Sequence, residues 1–365
     1  MAEKETSGVT DVFVRCGKDA NAQLEDSSIH SLVVDQDVDQ PDMCVLTLNN
    51  ADHGFSNDTL LGDEVEVKIG GKSGTTIFKG EVVGIEPIYK TGGESKCIVR
   101  AFNRLHRLLR GRKSITFTNK KDSEIASMIA QANGLSAKAE ATAVAHNHIY
   151  QHNQTDLEFL RLIAARNGFE VLCEDKTLHF RKPRSDESSG IELRINDSDG
   201  GVMLKTFTPR LSSARLVKEV EVRGWNPEKK EEIVARATAS KSSLGKRMAP
   251  AEADAFGERI TFTVDRPVAS VEEAMKLAEA KLNDILMDFV AGDGICVGSA
   301  DLRAGMVVKI VVNPDRKDDR FNGGYFVTGA SHRYSHSGTG GGSGGEGGGG
   351  YITAIRVRRD AVVGE

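Results

Sequence analysis

The sequence predicts an α+β protein that is mainly β, built as two similar β-barrel-like units with a helix-containing α+β insertion between them. Three observations carry this. A block is made twice: Gly62-Asp-Glu-Val65-Glu-Val67-Lys68-Ile69, Phe78-Lys-Gly80-Glu-Val82-Val83-Gly84 and Cys97-Ile98-Val99-Arg100 match Gly305-Met-Val307-Val308-Lys309-Ile310, Phe321-Asn-Gly323-Gly-Tyr325-Phe326-Val327-Thr-Gly329 and Tyr351-Ile352-Thr-Ala-Ile355-Arg356-Val357. Such a repeat fixes architecture before any motif does. Short alternating stretches bounded by turn residues dominate both ends of the chain. Helix caps concentrate between residues 113 and 183, with one more near 270.

The expected divisions are 1–112 for the first β unit, 113–183 for the insertion and 184–365 for the second β unit. In the first unit, Val12-Phe-Val14 alternates, and Ser31–Val34 and Met43–Leu48 flank a polar turn-rich loop. Asp122 or Ser123 can cap a helix reaching about Asn133, with Ile125, Met128 and Ile129 on one face and Gly134 as its stop. Thr155-Asp-Leu-Glu158 is a capping box, in which threonine and glutamate satisfy orphan amides reciprocally. Leu157, Leu160, Ile163 and Ala164 form the stripe of that helix, which Gly168 ends, and a hairpin turning at Asp175 follows.

Pro183 to Gly190 reads as a linker, and strands resume at Ile191–Ile195, Val202–Phe207 and Leu216–Arg223. Residues 226–258, polar and rich in Lys, Glu and Ala, read as a long exposed loop. Ser270-Val-Glu-Glu273 opens a long helix over about 270–290, with Ala274, Leu277, Ala278, Leu282, Ile285 and Phe289 buried. Within the second module, residues 338–350 hold ten glycines in thirteen, too costly in backbone entropy to pack. A flexible loop at a hairpin tip, natural or engineered, is expected.

The 365 residues suffice for two or three cores, and the net charge of −5 gives no overall pull toward nucleic acid or anionic membrane. No apolar run approaches the ~20 residues of a membrane span, and Met1-Ala-Glu-Lys-Glu-Thr-Ser-Gly lacks the apolar core of a secretory signal. A cytoplasmic protein is therefore expected, with Cys16, Cys44, Cys97, Cys173 and Cys296 as reduced thiols. Charge is segregated: Asp19 to Glu66 holds twelve acids and no Lys or Arg, whereas Lys96 to Lys121 holds nine Lys or Arg and no acid. These stretches either neutralise each other within one fold or form a complementary subunit contact.

Nothing in the chain assembles into catalytic machinery. Phosphate-loop, dinucleotide and nucleophile-elbow motifs are missing from the sequence. His146, His148 and His152 have ligand-like spacing, but no Glu completes a His-Glu-x-x-His pattern, so exposed or structural histidines are expected. Arg104, Arg107, Arg110 and Arg112 look like the wet side of a short amphipathic segment whose other face is Leu105, Leu108 and Leu109. Few aromatics interleave them, which argues against nucleic-acid reading. Trp225 reads as a core or corner residue.

Several of these signatures, in order, resemble the late-control-gene-D family, the baseplate hub proteins of contractile phage tails and injection systems, equivalent to the N-terminal part of VgrG-type spikes. The resemblance rests on Gly62-Asp-Glu-Val with Phe78-x-Gly-Glu-Val; Arg100-Ala-Phe-Asn-Arg104-Leu-His-Arg-Leu with Gly111-Arg; Tyr150-Gln-His-Asn-Gln-Thr155-Asp-Leu-Glu-Phe-Leu-Arg with Gly168-Phe; and Gly323-Gly-Tyr-Phe-Val-Thr with His332. It implies a non-catalytic homotrimer whose six β units form a ring, adapting a sixfold tail tube to a threefold spike. It implies no cofactor, and as partners the tail tube protein, a separate spike and other inner baseplate proteins. The chain ends soon after Arg358-Arg359-Asp360, so either the spike is a separate protein, as expected here, or the sequence has been cut short. Arg104, Arg107, Arg110 and Arg112 are the expected electrostatic contact surface. Two other classes remain open at this point: a tail-associated cell-wall hydrolase using the histidines, and a nucleic-acid-binding barrel protein.

Overall fold

The computed structural model describes residues 11–362, apart from 18–22, 39, 92, 196–200, 227–228, 239–241, 243, 250–260, 266–267, 269 and 337–349. All but the last residue of the glycine tract lies outside the described residues, as does much of the expected 226–258 loop.

Period-two alternation builds the first unit. β1 (Val12–Cys16), β2 (Gln23–Leu24), β3 (Ile29–Asp37), β4 (Gln40–Asn49), the short helix α1 (Gly54–Asp58), β5 (Glu64–Ile69), β6 (Thr75–Ile88) and β7 (Lys96–Phe102) follow one another. They form a curved antiparallel sheet in the order β2-β1-β5-β6-β7-β4-β3. Its inward residues, among them Val14, Leu32, Val34, Leu46, Val67 and Val99, share one core. Each fully buried Val or Leu contributes about 1.5–3 kcal/mol.

The insertion follows a 3-10 turn at Arg104–Leu109. It comprises β8 (Lys113–Lys121), α2 (Asp122–Ala132), β9 (Ser136–Ala139), β10 (Ala145–Gln154), α3 (Asp156–Asn167), β11 (Glu170–Glu174) and β12 (Thr177–Arg181). It has its own core, which takes Leu105 and Leu108 from the preceding turn. The capping box forms: Thr155 Oγ1 accepts from the Glu158 amide at 3.1 Å, and Glu158 accepts from the Thr155 amide at 2.9 Å. Gly168 ends α3 at φ 65°. Helix α2 starts differently from expectation. Lys121 is its N-cap position, and Asp122 and Ser123 lie inside the first turn. Asp122 is drawn away to Arg166 and Asn167 of α3.

The second unit contains β13 (Ser188–Ile195), β14 (Val202–Leu211), β15 (Glu219–Asn226), β16 (Glu231–Thr238), β17 (Arg247–Met248), β18 (Thr261–Asp265), α4 (Val271–Leu286), β19 (Val290–Val297), β20 (Val307–Val311), β21 (Gly323–Ser335), β22 (Gly350–Arg359) and β23 (Ala361–Val362). Six of these close a barrel in the order β13-β20-β21-β22-β19-β14, sealed by parallel pairing of Leu193–Ile195 with Val202–Leu204. Ser270 caps α4, accepting from the Glu273 amide at 3.1 Å. The helix ends before Phe289, which is nevertheless fully buried.

Strand β16 corrects the loop expected over 226–258. Ile233, Ala235 and Ala237 alternate inward beneath charged neighbours, a pattern too weak in apolar bulk to read from sequence. Trp225, expected in the core or at a corner, is 57% exposed within β15, opposite Glu232.

The two units repeat each other at the level of single hydrogen bonds. Gly62 (φ 90°) donates to Val82 O at 2.8 Å and Val82 donates to Asp63 O at 2.9 Å; Gly305 (φ 84°) donates to Val327 O and Val327 to Met306 O, both at 2.8 Å. A bulge between Val82 and Gly84 recurs between Val327 and Gly329. A second, between Ile29 and Ser31, recurs between Leu204 and Thr206. On this frame Val65 and Val67 correspond to Val308 and Ile310, and Phe78 corresponds to Gly323. The sequence alignment of the two Val-Lys-Ile runs, and of Phe78 with Phe321, is therefore two residues out of phase. A slip of two keeps every side chain on its own face, so the likeness survives the error. The first unit differs in staying open, since β1 and β3 do not pair among the described residues.

The units meet edge to edge. Ser31–Asp37 of β3 pairs antiparallel with Ser335–Gly329 of β21, making one continuous thirteen-stranded sheet. Leu32, Val34, His332 and Tyr334 are buried at this joint, and Arg356 reaches across it to Asp37.

Candidate assembly interface

The arginines expected to share one exposed face are divided by the fold. Arg104 opens the 3-10 turn behind the Asn103 cap and is 3% exposed. Its guanidinium donates to Glu81 at 3.1 Å, to Glu64 at 2.5 Å and to Asp175 at 2.5 Å. It thus ties β5 and β6 of the first unit to the β11–β12 hairpin of the insertion. Arg104 is not part of an exposed contact surface, because its turn is wedged between two cores. Arg107 donates to both Glu81 oxygens. Burial pushes the Glu81 carboxyl up, but the hydrogen bond and charge of Arg107, with the charge of Arg104, outweigh it and hold Glu81 below its ordinary value. Burial lowers the neighbouring His106 imidazole.

Arg110 and Arg112 remain exposed. Arg112 spans to the Asn153 carbonyl at 2.7 Å and to Glu158 at 2.9 Å, across the strand-to-helix corner of the insertion. Only part of the segregated charge is paired by these contacts: Glu64 of the acidic stretch meets Arg104 of the basic stretch, while Glu66 meets Arg15, Lys68 and Lys79, and Asp37 meets Arg356, all cations outside the basic stretch.

The histidines lie along β10. His146 sits between Asp122 at 3.6 Å and Glu273 at 3.7 Å, where the insertion packs on α4. His148 and His152 point to solvent. Among the described residues no cluster of three or more His, Cys, Asp or Glu could hold a metal ion. No described helix is long and apolar enough to cross a membrane.

Outside the cores of the two β units, the face of the sheet across the β3–β21 joint is concave. A concavity of about 1090 Å³ there is lined by apolar residues such as Met43, Phe102 and Ile355, and by Asp35, Asp37, Asp293, Arg333 and Arg356, with Arg110 just after the 3-10 turn. Both signs of charge alternate over it. Sequence reasoning did not find this surface, because it depends on a strand pairing between residues some 300 positions apart.

The fold defined by these units is that of tail proteins. Over 96% of its length the chain is similar to the prophage MuSo2 43 kDa tail protein of Shewanella oneidensis (TM-score 0.67, 13% identity, 98% of that chain). It is equally similar to a tail protein of Neisseria meningitidis MC58 (TM-score 0.68, 15% identity, 96% and 97% of the two chains). An E. coli protein described as a component of the type VI secretion system, itself similar to two bacteriophage T4 tail proteins, matches 95% of the chain over 77% of its own length (TM-score 0.62, 12% identity). The chain belongs to the family described as the Alg8 N-terminal domain, which matches residues 12–336. No curated protein matches it in sequence.

Proposed function

We propose that the protein is the baseplate hub of a contractile tail or injection system, of the late-control-gene-D kind. Three copies form a ring of six β units that adapts a sixfold tail tube to a threefold spike. The observation that carries this reading is the duplication joined edge to edge: one chain presents two near-equivalent β units, so three chains present six. The tail-protein fold supports it independently. In this reading the two β units, 1–112 and 184–365, face the tube with matched surfaces. The insertion at 113–183 and the glycine tract break sixfold likeness to threefold toward the spike. The tail tube, a separate spike and other inner baseplate proteins are its partners, and the role is non-catalytic. Arg110, exposed beside the concave face, is the member of the arginine set best placed for a subunit or tube contact. Mass photometry of the purified chain at low salt, alone and with its tube protein, is the test. Trimers are expected, and a strict monomer that never joins a tube or spike defeats the reading.

A further inference from the structure

The joint inside the chain has a counterpart with one side empty. At the internal joint β3 bonds the second half of β21. By the shared bulges, β14 occupies the place of β3, and the second half of β6 occupies that of β21. Among the described residues, Thr206–Leu211 of β14 pairs only with β19, and Gly84–Ile88 of β6 only with β7. Positions sealed at the internal joint are open at these two edges. Ala330 and His332 are 2% and 1% exposed, whereas their equivalents Ile85 and Pro87 are half-buried and exposed. Leu32 and Val34 are at most 1% exposed, whereas Phe207 and Pro209 are half-buried. Ile88 and Tyr89, at the end of the free β6 edge, are 38% and 60% exposed.

We propose that β14 of one copy pairs antiparallel with β6 of the next copy, in the register of the internal joint; this rests on the ring reading above. Three such joints between copies would alternate with the three internal ones. The register is specified. Asp35 opposite Ser331 becomes Arg210 opposite Glu86; Val34 opposite His332 becomes Pro209 opposite Pro87; Val33 opposite Arg333 becomes Thr208 opposite Ile88.

Two features of the sequence fit this register and no frame shifted by one or two. Arg210 and Glu86 are both exposed and of opposite charge, and the register sets them face to face. Glu86 already accepts from Arg100 at 2.6 Å, so it lies between a cation of its own chain and one of the neighbour. Each free edge also carries a proline, which blocks indiscriminate strand addition. Directly opposite residues of an antiparallel pair share one rung, so placing Pro87 against Pro209 confines both missing donors to a single rung.

The test is a disulfide placed in the full chain. Directly opposite Cα atoms lie about 4.5–5.5 Å apart, within disulfide reach, whereas diagonal neighbours lie at about 7–8 Å. The Glu86→Cys/Arg210→Cys variant, oxidised and run without reductant, should give covalent three-chain species. The Glu86→Cys/Thr208→Cys control should give at least about tenfold less. In parallel, Glu86→Arg should weaken assembly about tenfold or more, and Glu86→Arg/Arg210→Glu should restore it. A trimer by mass that fails to cross-link at 86 and 210, or cross-links equally in the control, overturns the register and leaves the ring reading standing. A folded chain that stays monomeric overturns both. Failure of the charge swap to restore assembly overturns the Arg210–Glu86 contact.

Discussion

Arg104 is the residue whose role changes most between sequence and structure, and its replacement by alanine separates the two. On an exposed contact face, its loss would leave the fold intact and weaken assembly. In the structure its side chain is 4% exposed and holds three carboxylates. Removing one partner of a buried ion pair costs about 3–5 kcal/mol, because the remaining charge stays buried and uncompensated. Here the lower end applies. Glu64 and Asp175 are 44% and 48% exposed and rehydrate, while Glu81, 12% exposed, keeps Arg107. The expected loss is therefore about 3 kcal/mol, or roughly 1 M in urea midpoint at a slope near 3 kcal/mol/M. Urea unfolding followed by far-ultraviolet circular dichroism reads it directly, with Arg112→Ala, an exposed pair, as the comparison that should barely move. An Arg104→Ala chain with unchanged midpoint but impaired assembly would refute the structural assignment.

Other consequences follow from equally local features. Burial lowers the His332 imidazole to about 4 at the joint between units. The unfolded chain, with its ordinary value near 6.5, takes up the proton first, so the contribution of His332 to stability should hold above about pH 6.5 and fall toward pH 4 by up to about 3 kcal/mol. His106, also lowered, adds in the same direction, whereas burial raises the Asp42 carboxyl to about 7, so the folded chain binds that proton first and Asp42 opposes the slope between about pH 7 and 4; Glu81 and Asp122 contribute only below their ordinary values of 4.5 and 3.8. In thermal melts from pH 7 to 5 the stability difference between wild type and His332→Phe should shift against wild type as pH falls; a difference that does not change with pH would contradict this. Gly80→Ala should cost about 1–3 kcal/mol or more, since a Cβ there would sit 2.2 Å from the Phe102 carbonyl, which cannot yield. Gly84→Ala, whose Cβ would meet only Arg100 at 3.8 Å, should stay within about 0.5 kcal/mol in the same melts. Thr155→Ala should cost about 1 kcal/mol by removing the cap of α3, measurable by denaturant unfolding.

What sequence could reveal was whatever is encoded over a few residues. Thr155 and Glu158 form a reciprocal cap because both partners sit within one turn, and Gly168 stops that helix because only glycine takes φ 65° cheaply. The duplicated module was legible because β strands need repeated apolar alternation, although its phase was misjudged by two residues. Strand β16 was missed because alanines do its inward work under a cover of charge. Arg104 was misplaced because its acidic partners lie 23, 40 and 71 positions away, on three different strands and turns. The joint of β3 with β21 had no local signature, as it depends on two edges finding each other across the insertion.

On the proposed reading, one β unit is made twice so that three chains close a ring. Cryo-electron microscopy of the purified assembly tests it most directly. A threefold ring of six similar β lobes is expected, with β14 of each copy seated against β6 of the next. A monomer, a dimer, or a ring whose copies meet through other edges would contradict it.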